Sequence, residues 1–263
     1  MIAAPDSWNP DQYERFAAER ALPFHDLVGL VEGCAGGRAV DLGCGTGQLT
    51  AGLHRALSLA ETVGIDNSPA MLARAAEHAG DGLSFAHGDI ATFRSEGLDL
   101  VFSNAALQWV TDHAAVLGRW AASLRAGGQL AVQLPANGDH PSHWVAEEVA
   151  AEEPFGAALA DRPAAPDSVR GVLSPESYAE ILWDLGFQRQ HVRLQVYGHR
   201  LASTADVVEW VKGTTLNRYR AVMADDLFGD YLVRYRTRLR EVLGDRSPYF
   251  YPFKRILFTA RLP

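Results

Sequence analysis

The sequence predicts an α/β protein built on a largely parallel sheet, and three observations support this fold class. Short apolar runs alternate with segments of helical periodicity through the first half of the chain, which is the order of βαβ units. The first of these runs passes directly into a glycine-rich turn, VDLGCGTG. The chain has 263 residues, of which 48% are apolar, and this is enough for one large α/β domain with an insertion. We therefore expect a single domain over 1–263.

The first 135 residues contain five predicted strands separated by helical segments or loops. Apolar residues recur at roughly helical spacing in 11–31, so one or two helices are expected there. Ser68 followed by Pro69 predicts a helix start, because serine is a good N-cap and proline suits the first helical position. Gly127 and Gly128 predict the end of the helix before them. The elements are, in order, strand 38–43, helix 47–59, strand 62–66, helix 69–78, strands 83–89 and 98–104, helix 113–124 and strand 129–134.

The alternation breaks after Pro135, and the second half of the chain has a different organisation. Residues 136–172 hold several prolines and acidic residues and show no clear periodicity. Helices are then expected at 175–185, 204–213 and 225–243, and strands at 192–201 and 253–262. Two helices between the last two strands predict a lid over the carboxyl edge of the sheet, a helical substrate cap at about 203–247.

Charge and composition exclude several classes of function. The formal net charge is −8, which argues against a nucleic-acid partner or an anionic membrane surface. Two cysteines, Cys34 and Cys44, are too few for a disulfide framework, and their spacing gives no zinc motif, so no metal site is expected. No apolar run approaches the length of a membrane span, and the N-terminus lacks the pattern of a signal peptide. These features predict a cytoplasmic protein.

The glycine-rich turn predicts a site for a nucleotide-like ligand. Open α/β sheets bind ligands outside the carboxyl ends of their strands, where glycines let the backbone approach a ligand closely. A tight strand-to-helix turn without a ligand is the alternative for the glycines alone. Acids at the ends of the next two predicted strands, Asp66 and Asp89, favour the ligand, since a carboxylate after the second strand can bind ribose hydroxyls. Asp41 stands directly before the turn. A carboxylate there is poorly suited to the pyrophosphate of a dinucleotide, but it is well suited to a cation such as a sulfonium or an amino group.

The series VDLGCGTG, GID, GDI and SNAALQW resembles the motifs of class I S-adenosylmethionine-dependent methyltransferases. The resemblance implies a Rossmann-like, doubly wound seven-stranded sheet with the last strand antiparallel. It implies S-adenosylmethionine as cofactor and S-adenosylhomocysteine as product. The glycine turn would hold the methionine part, the acid after strand two the ribose and the acid after strand three the adenine. The residues expected to bind the cofactor are Trp8, Tyr13, Arg20, Asp41, Gly43, Cys44, Gly45, Asp66, Asn67, Asp89, Ile90, Asn104 and Ala105.

The first three of these residues lie on N-terminal lid helices expected at about 8–31, which could close over the cofactor. Trp8 or Trp109 could face the sulfonium through a cation–π contact, and packing of a lid aromatic is the equal alternative. Cys44 is expected to be small rather than reactive.

Segments along nearly the whole chain narrow the resemblance to the trans-aconitate methyltransferase family. They are WNPDQYERFAAERALP, GIDNSPAMLARA, SNAALQWVTDH, LAVQLPAN, VVEWVKGTTL and FKRILFTARL. The resemblance implies esterification of a carboxylate of a small polycarboxylic acid, most directly trans-aconitate. A carboxylate is already ionised at neutral pH, so no general base is needed and no catalytic residue is assigned. The candidates for positioning the substrate are Gln108, Trp109, Arg170, Arg218, Tyr219, Arg220, Tyr249 and Lys254, with Lys212 and Tyr251 as further donors.

Other functions remain open at this point. SNAALQW also occurs in malonyl-carrier-protein methyltransferases, so another small molecule or a malonyl thioester is the nearest alternative acceptor. An acceptor hydroxyl or amine would require a base such as His113, His140 or His143, which we expect instead to be histidines of helix ends or loops. A Rossmann oxidoreductase would need GxGxxG, and the spacing opposes it. A cofactor-binding protein without catalysis is a third alternative. The expected assembly is a monomer or a weak homodimer.

Overall fold

The computed structural model describes residues 17–165 and 167–263, with side chains from Leu22 onward. The predicted helical residues 11–16 therefore lie outside the described part of the chain. The strands are β1 (Arg38–Leu42), β2 (Glu61–Asp66), β3 (Leu83–His87), β4 (Leu98–Asn104), β5 (Leu124–Pro135), β6 (Arg189–Leu201) and β7 (Tyr249–Arg261). The helices are α1 (Ala17–Val28), α2 (Gln48–Ala56), α3 (Pro69–Ala75), α4 (His113–Ala122), α5 (Pro141–Ala151), α6 (Phe155–Asp161), α7 (Pro175–Asp184), α8 (Asp206–Lys212), α9 (Asn217–Arg220) and α10 (Asp225–Leu243).

The strands form one seven-stranded sheet in the order β3-β2-β1-β4-β5-β7-β6. The pairs β1–β2, β1–β4, β2–β3 and β4–β5 are parallel, whereas β7 runs antiparallel to β5. The predicted α/β fold with seven strands and an antiparallel last strand is confirmed. The order places the carboxyl ends of β3, β2, β1 and β4 side by side.

The local chemistry of the sequence explains most element bounds. Ser68 accepts a hydrogen bond from the backbone N–H of Met71 at 3.3 Å and caps α3, with Pro69 at its first position, as predicted. The central strand β4 is a continuous apolar run because it is covered on both faces, and Leu100, Val101 and Phe102 are fully buried.

The predicted elements depart from the structure most clearly at three places after β4. The helix predicted to run to the glycine pair ends at Ala122, and Gly127 and Gly128 lie inside β5. The strand begins early because Leu124 already pairs with Leu98, with a register irregularity before the regular ladder resumes. The region 136–172, in which no helix was predicted, contains α5 and α6, and the short α9 was also missed.

The described residues divide into two compact units. The core unit comprises 17–135, 173–195 and 255–263, and Trp120, Phe102 and Phe258 are among its fully buried side chains. The helical unit comprises 136–165, 167–172 and 196–254, with α5 packed against α10. Tyr231, Tyr235 and Tyr251 form much of the core of the helical unit. Strands β6 and β7 each contribute residues to both units.

The insertion between the last two strands is helical, as predicted, and it is joined by α5 and α6 in the helical unit. Its action as a lid and the single domain over 1–263 stay predictions. Among the described residues, no helix has both the length and the apolar character that a membrane crossing requires.

Candidate cofactor and substrate sites

The glycine turn after β1 is shaped by contacts within the core unit. The N–H groups of Gly43 and Cys44 both donate to the carbonyl of Ile65, at 2.8 and 3.1 Å, and fasten the turn to β2. Gly43 has φ of +85°, and a Cβ at this position would lie 2.2 Å from the Cβ of Ala106. Gly45 also has a positive φ, +55°, yet nothing lies within 4 Å of where its Cβ would be. Gly43 thus permits close packing, and Gly45 leaves open space at the turn.

Asp66, the last residue of β2, is held in place by the backbone on both sides. Its Oδ2 accepts from the N–H of Gly45 and its Oδ1 from the N–H of Ser68, each at 2.9 Å. Each carboxylate oxygen can accept a second hydrogen bond, so the side chain retains acceptor capacity. A fixed carboxylate beside a glycine turn is suited to accept from a pair of hydroxyl groups.

Asp41 is a buried carboxylate with an incomplete hydrogen-bond shell. The hydroxyl of Thr50 donates to its Oδ2 at 2.6 Å, while its Oδ1 has no partner among the described residues. The pKa of Asp41 is raised to about 7, mainly because the side chain is buried. The hydrogen bond from Thr50 lowers this pKa, and the nearby charge of Asp66 raises it further. A cation or an amino group beside Asp41 would favour its ionised form.

Two further acceptors follow at the end of β4. Asn104 Oδ1 and Gln108 Oε1 are buried and, like Asp41 Oδ1, have no partner among the described residues. The amide of Gln108 donates to the carbonyl of Ala105 at 2.7 Å, which leaves its oxygen to accept. Buried acceptors cost free energy unless a donor reaches them. An ammonium group is a donor that would suit Asp41 and Asn104, so these two acceptors fit the amino-acid part of S-adenosylmethionine, while the Gln108 oxygen is left to accept from another donor.

Ala105 occupies a strained backbone conformation between these acceptors. Its φ is +56°, in the left-handed region that non-glycine residues seldom adopt. Its N–H donates to the carbonyl of Gln133 at 2.8 Å, which helps to hold the conformation. Such strain occurs preferentially at ligand sites.

The loop after β3 is closed on itself. Asp89 lies two residues beyond the end of β3, which corrects the prediction that the strand itself reaches it. Its carboxylate accepts from the N–H of Ala91 at 2.8 Å, and the carbonyl of Ile90 accepts from the indole N–H of Trp120 at 2.9 Å. Asn67, between Asp66 and the cap of α3, is exposed.

In the helical unit, the basic side chains predicted to hold a substrate are largely paired with carboxylates. Arg170 and Arg218 both contact Glu147, Lys254 contacts Asp139, and Lys212 contacts Glu209. Arg220 is exposed.

Arg218 is the most enclosed of these cations. Only 12% of its side chain is exposed, and its guanidinium carbon lies 4.5 Å from the centre of the Tyr219 ring. It donates to the carbonyl of Ala165 at 3.2 Å and to the hydroxyl of Tyr219. Its Nε is buried without a partner among the described residues.

The comparisons with known proteins agree with this geometry. A family model described as "Methyltransferase domain" matches residues 40–132, which include the glycine turn, Asp66, Asp89 and Asn104. A trans-aconitate 2-methyltransferase from Deinococcus radiodurans is 40% identical over 258 residues, covering 98% of this chain and 99% of the relative. The chain belongs to the trans-aconitate 2-methyltransferase family.

Further relatives support the same assignment. A second trans-aconitate 2-methyltransferase, from Mycobacterium sp. strain KMS, is 38% identical and covers 97% of this chain and 99% of its own length. The solved structure of the YcgJ protein from Bacillus subtilis superposes with a TM-score of 0.62 at 13% identity, covering 92% of this chain and 98% of that one. At that identity the likeness shows the fold. The predicted methyltransferase class is confirmed.

The structure brings together many of the residues predicted for a trans-aconitate 2-methyltransferase. Asp41, Gly43, Cys44, Gly45, Asp66, Asn104, Ala105 and Gln108 lie at the adjoining carboxyl ends of β1, β2 and β4. Trp109 follows them in a short 3₁₀ turn and is 39% exposed. Burial raises the pKa of the Cys44 thiol, which agrees with a small, unreactive residue there. Trp8 and Tyr13 lie outside the described residues, and only the backbone of Arg20 is described, in α1.

The three histidines have structural partners. His113 is the first residue of α4 and contacts the Tyr178 hydroxyl at 2.7 Å, and His140 caps α5. These two therefore lie at helix ends, as predicted. Burial lowers the pKa of His140 to about 4, and Nε2 of this ring contacts the hydroxyl of Tyr249 at 3.2 Å. His143 lies inside α5 instead and contacts Asp167 at 2.7 Å, both side chains being buried.

Sequence reasoning missed Glu147 and Asp167. Both lie in 136–172, where the acidic residues and prolines were taken as irregular structure. Pro141 directly after His140 is a helix-start signal that could have revealed α5, because the structure uses it at the first helical position. The pairing of Glu147 with Arg170 and Arg218 joins separate segments of the chain, and no local signal predicts it.

Proposed function

We propose that the protein transfers the methyl group of S-adenosylmethionine to a carboxylate of trans-aconitate and releases S-adenosylhomocysteine. Membership of a family whose curated members act on this acid, with nearly full-length similarity, supports the acceptor. The single observation that carries the cofactor is the pair of buried acceptors without a partner among the described residues, Asp41 Oδ1 and Asn104 Oδ1. This chemistry matches the ammonium group of a methionine moiety.

Each cofactor-binding residue has a role consistent with its geometry. Asp41 and Asn104 would accept from the amino group of the cofactor, the turn at Gly43–Gly45 would admit its methionine part, and Asp66 would accept from its ribose hydroxyls. Asn67, Asp89 and Ile90 are proposed for the ribose and adenine because they follow β2 and β3 in the chain. Arg20, with Trp8 and Tyr13, remains a proposal for closing the site. When bound, the cofactor supplies an electrophilic methyl group on a sulfonium sulfur.

The protein's contribution to the reaction is alignment rather than proton transfer. A carboxylate with a pKa near 4 is ionised at neutral pH, so its oxygen is already a nucleophile. Holding oxygen, methyl carbon and sulfur in line can contribute about 7–11 kcal/mol to lowering the barrier. Gln108 and Trp109, just beyond β4, are proposed to position the acceptor. The strained Ala105 gives this segment a fixed shape.

The remaining carboxylates of the substrate require cationic or hydroxyl donors. Arg218 is the strongest proposal because it is enclosed, stacked on Tyr219 and keeps a buried Nε without a partner among the described residues. Arg170 shares its contact with Glu147. The other proposed donors are Arg220, Tyr249 and Lys254.

A malonyl thioester on a carrier protein is the second candidate acceptor. The motif SNAALQW allows it, whereas a net charge of −8 opposes docking of an acidic carrier. We also propose that the enzyme is cytoplasmic, works without a nucleic-acid or membrane partner and is a monomer or a weak homodimer.

The acceptor is tested with S-adenosylmethionine that carries a radiolabelled methyl group. Trans-aconitate, cis-aconitate, citrate, isocitrate and a malonyl thioester are offered separately. We expect base-labile label on trans-aconitate, since a methyl ester is hydrolysed by base. Label on the malonyl thioester alone would support the second candidate. Intact cofactor binding without any label would indicate a binding protein that lacks this activity.

A further inference from the structure

Glu147 connects two arginines of the helical unit through its two carboxylate oxygens. Its Oε2 lies 2.9 Å from a terminal nitrogen of Arg170, and its Oε1 lies 3.3 Å from a terminal nitrogen of Arg218. One carboxylate therefore serves two guanidinium groups, one oxygen each. We call Glu147, Arg170 and Arg218 the arginine–glutamate triad. Two cations held around one carboxylate form a ready-made carboxylate site.

The charges around the triad leave its arginines only partly neutralised by Glu147. Two guanidinium groups and one carboxylate sum to a single positive charge. Asp167 is the other acid acting on Arg218, and it is already bound to His143 at 2.7 Å. Burial alone would raise the pKa of Asp167, but His143 and then Arg218 hold it below its ordinary value. Asp167 is engaged with His143, so Glu147 is the carboxylate that contacts Arg218 directly among the described residues.

The accessibility of the triad allows Glu147 to be exchanged for another carboxylate. The side chains of Glu147 and Arg170 are 39% and 46% exposed, whereas only 12% of Arg218 is exposed. A glutamate that exposed can rotate into solvent, at the cost of its two partly exposed ion pairs. Arg218 cannot follow it, because its guanidinium is fixed by the Ala165 carbonyl, the Tyr219 hydroxyl and the Tyr219 ring. The fixed cation would then face an incoming anion.

We infer that Glu147 is an internal substitute for a substrate carboxylate, which holds Arg170 and Arg218 ready and is displaced when a polycarboxylate binds. This inference rests on the proposed function, since it assumes a polycarboxylate substrate. Glu147 thus lowers the affinity for the acid, because every binding event must break its two ion pairs. Its negative charge also repels the ligand in proportion to the number of ligand carboxylates.

The test compares Glu147→Gln with the matched control Glu148→Gln on the next residue, which pairs with Arg238 instead. Binding of trans-aconitate is measured by calorimetry in the presence of S-adenosylhomocysteine, and kcat and KM are measured with S-adenosylmethionine. We expect E147Q to lower Kd and KM by about fivefold, the worth of a partly exposed ion pair, with kcat unchanged. The same variant should increase the affinity for butyrate, a monocarboxylate, by a smaller factor. E148Q should match the wild type.

Two further variants keep the inference open to contradiction. Arg218→Lys, which loses the planar fork, should raise KM by about tenfold or more. Glu147→Asp, with a shorter reach, should behave like a weaker form of E147Q, and it serves if E147Q does not fold. Weaker acid binding in both Glu147 variants would show that Glu147 only supports the arginines and would overturn the inference. If the wild type does not methylate trans-aconitate, the proposed function fails, whatever these variants do.

Discussion

Asp41 shows how one buried carboxylate can link cofactor binding to pH. It is 4% exposed and receives one hydrogen bond, from Thr50. In the cofactor-free protein its pKa is raised to about 7, mainly by burial. A bound ammonium group would stabilise the ionised form and lower that pKa. Cofactor binding near pH 6 should therefore release a proton.

The raised pKa of Asp41 predicts a loss of stability as pH rises. In the unfolded chain an aspartate has a pKa of about 3.9, so between about pH 4 and 7 the folded state holds a proton that the unfolded state has lost. Stability from this group is complete below pH 4 and disappears as pH passes 7. The Asp41→Asn variant lacks this pH dependence of stability, because asparagine does not titrate. The free energy of unfolding of the wild type, minus that of D41N, should fall between pH 5 and 8, as measured in urea.

Asp99→Asn provides the control for this titration. Burial tends to raise the pKa of Asp99, but the N–H of Arg38 and the guanidinium of Arg125 bring it below its ordinary value. The difference between wild type and D99N should then stay constant from pH 5 to 8. A constant difference for D41N as well would contradict the protonated state of Asp41.

At the scale of the element, Gly43 and Gly45 in the turn after β1 are needed for different reasons. Gly43 allows close packing and Gly45 leaves open space, and separate substitutions can distinguish the two. Gly43→Ala places a Cβ 2.2 Å from that of Ala106 at a φ of +85°. Gly45→Ala has a φ of +55° and meets nothing within 4 Å. Left-handed strain costs about 1–3 kcal/mol, and forced overpacking adds about 1–3 kcal/mol.

We expect G43A to lower the free energy of unfolding clearly more than Gly33→Ala, which has a φ of +59° and open space around it. G45A should resemble G33A in stability but bind S-adenosylmethionine more weakly, since its methyl group enters the open space at the turn. Chemical unfolding and calorimetry measure the two effects. Equal stability of G43A and G33A would show that the turn can move away from Ala106.

The sequence predicted those elements whose signals are local. Strand β4 agrees residue for residue with the predicted 98–104 because it is a short, continuous apolar run, and α10 agrees with 225–243 because its apolar residues recur at helical spacing. Gly127 and Gly128 predicted the wrong end for the helix before them, because the pairing of Leu124 with Leu98 already places this segment in β5. Glycines and acids at the carboxyl edge were predictable since parallel strands all end at one edge. The contacts of Arg218 with Glu147 and Ala165 were not predictable, because they join distant segments.

At the scale of the whole molecule, the described part of the chain passes between the core unit and the helical unit four times. Two of these passages fall inside strands β6 and β7, so each strand carries residues of both units. Unfolding of one unit would therefore disrupt two strands that also belong to the other unit. We therefore expect the two units to unfold together.

Hydrogen exchange in increasing urea, read by mass spectrometry, tests this cooperativity. Peptides from β4 in the core unit and from α10 in the helical unit should lose protection at the same urea concentration. S-adenosylmethionine should move both midpoints upward together. Two separate midpoints would show that the helical unit unfolds on its own.

The discontinuity of the helical unit also constrains how acceptor preference can be redesigned. Among the described residues of this unit, Glu147 and Arg170 come from the segment 136–172, and Arg218 comes from the segment 196–254. A chimera that exchanges only one segment with a relative would combine mismatched halves of the triad. Recombination should keep both segments from one parent, with crossover points at 135/136, 172/173, 195/196 and 254/255. To transfer acceptor preference from one relative to another, the two fragments must then be exchanged together, since no single contiguous segment carries the triad.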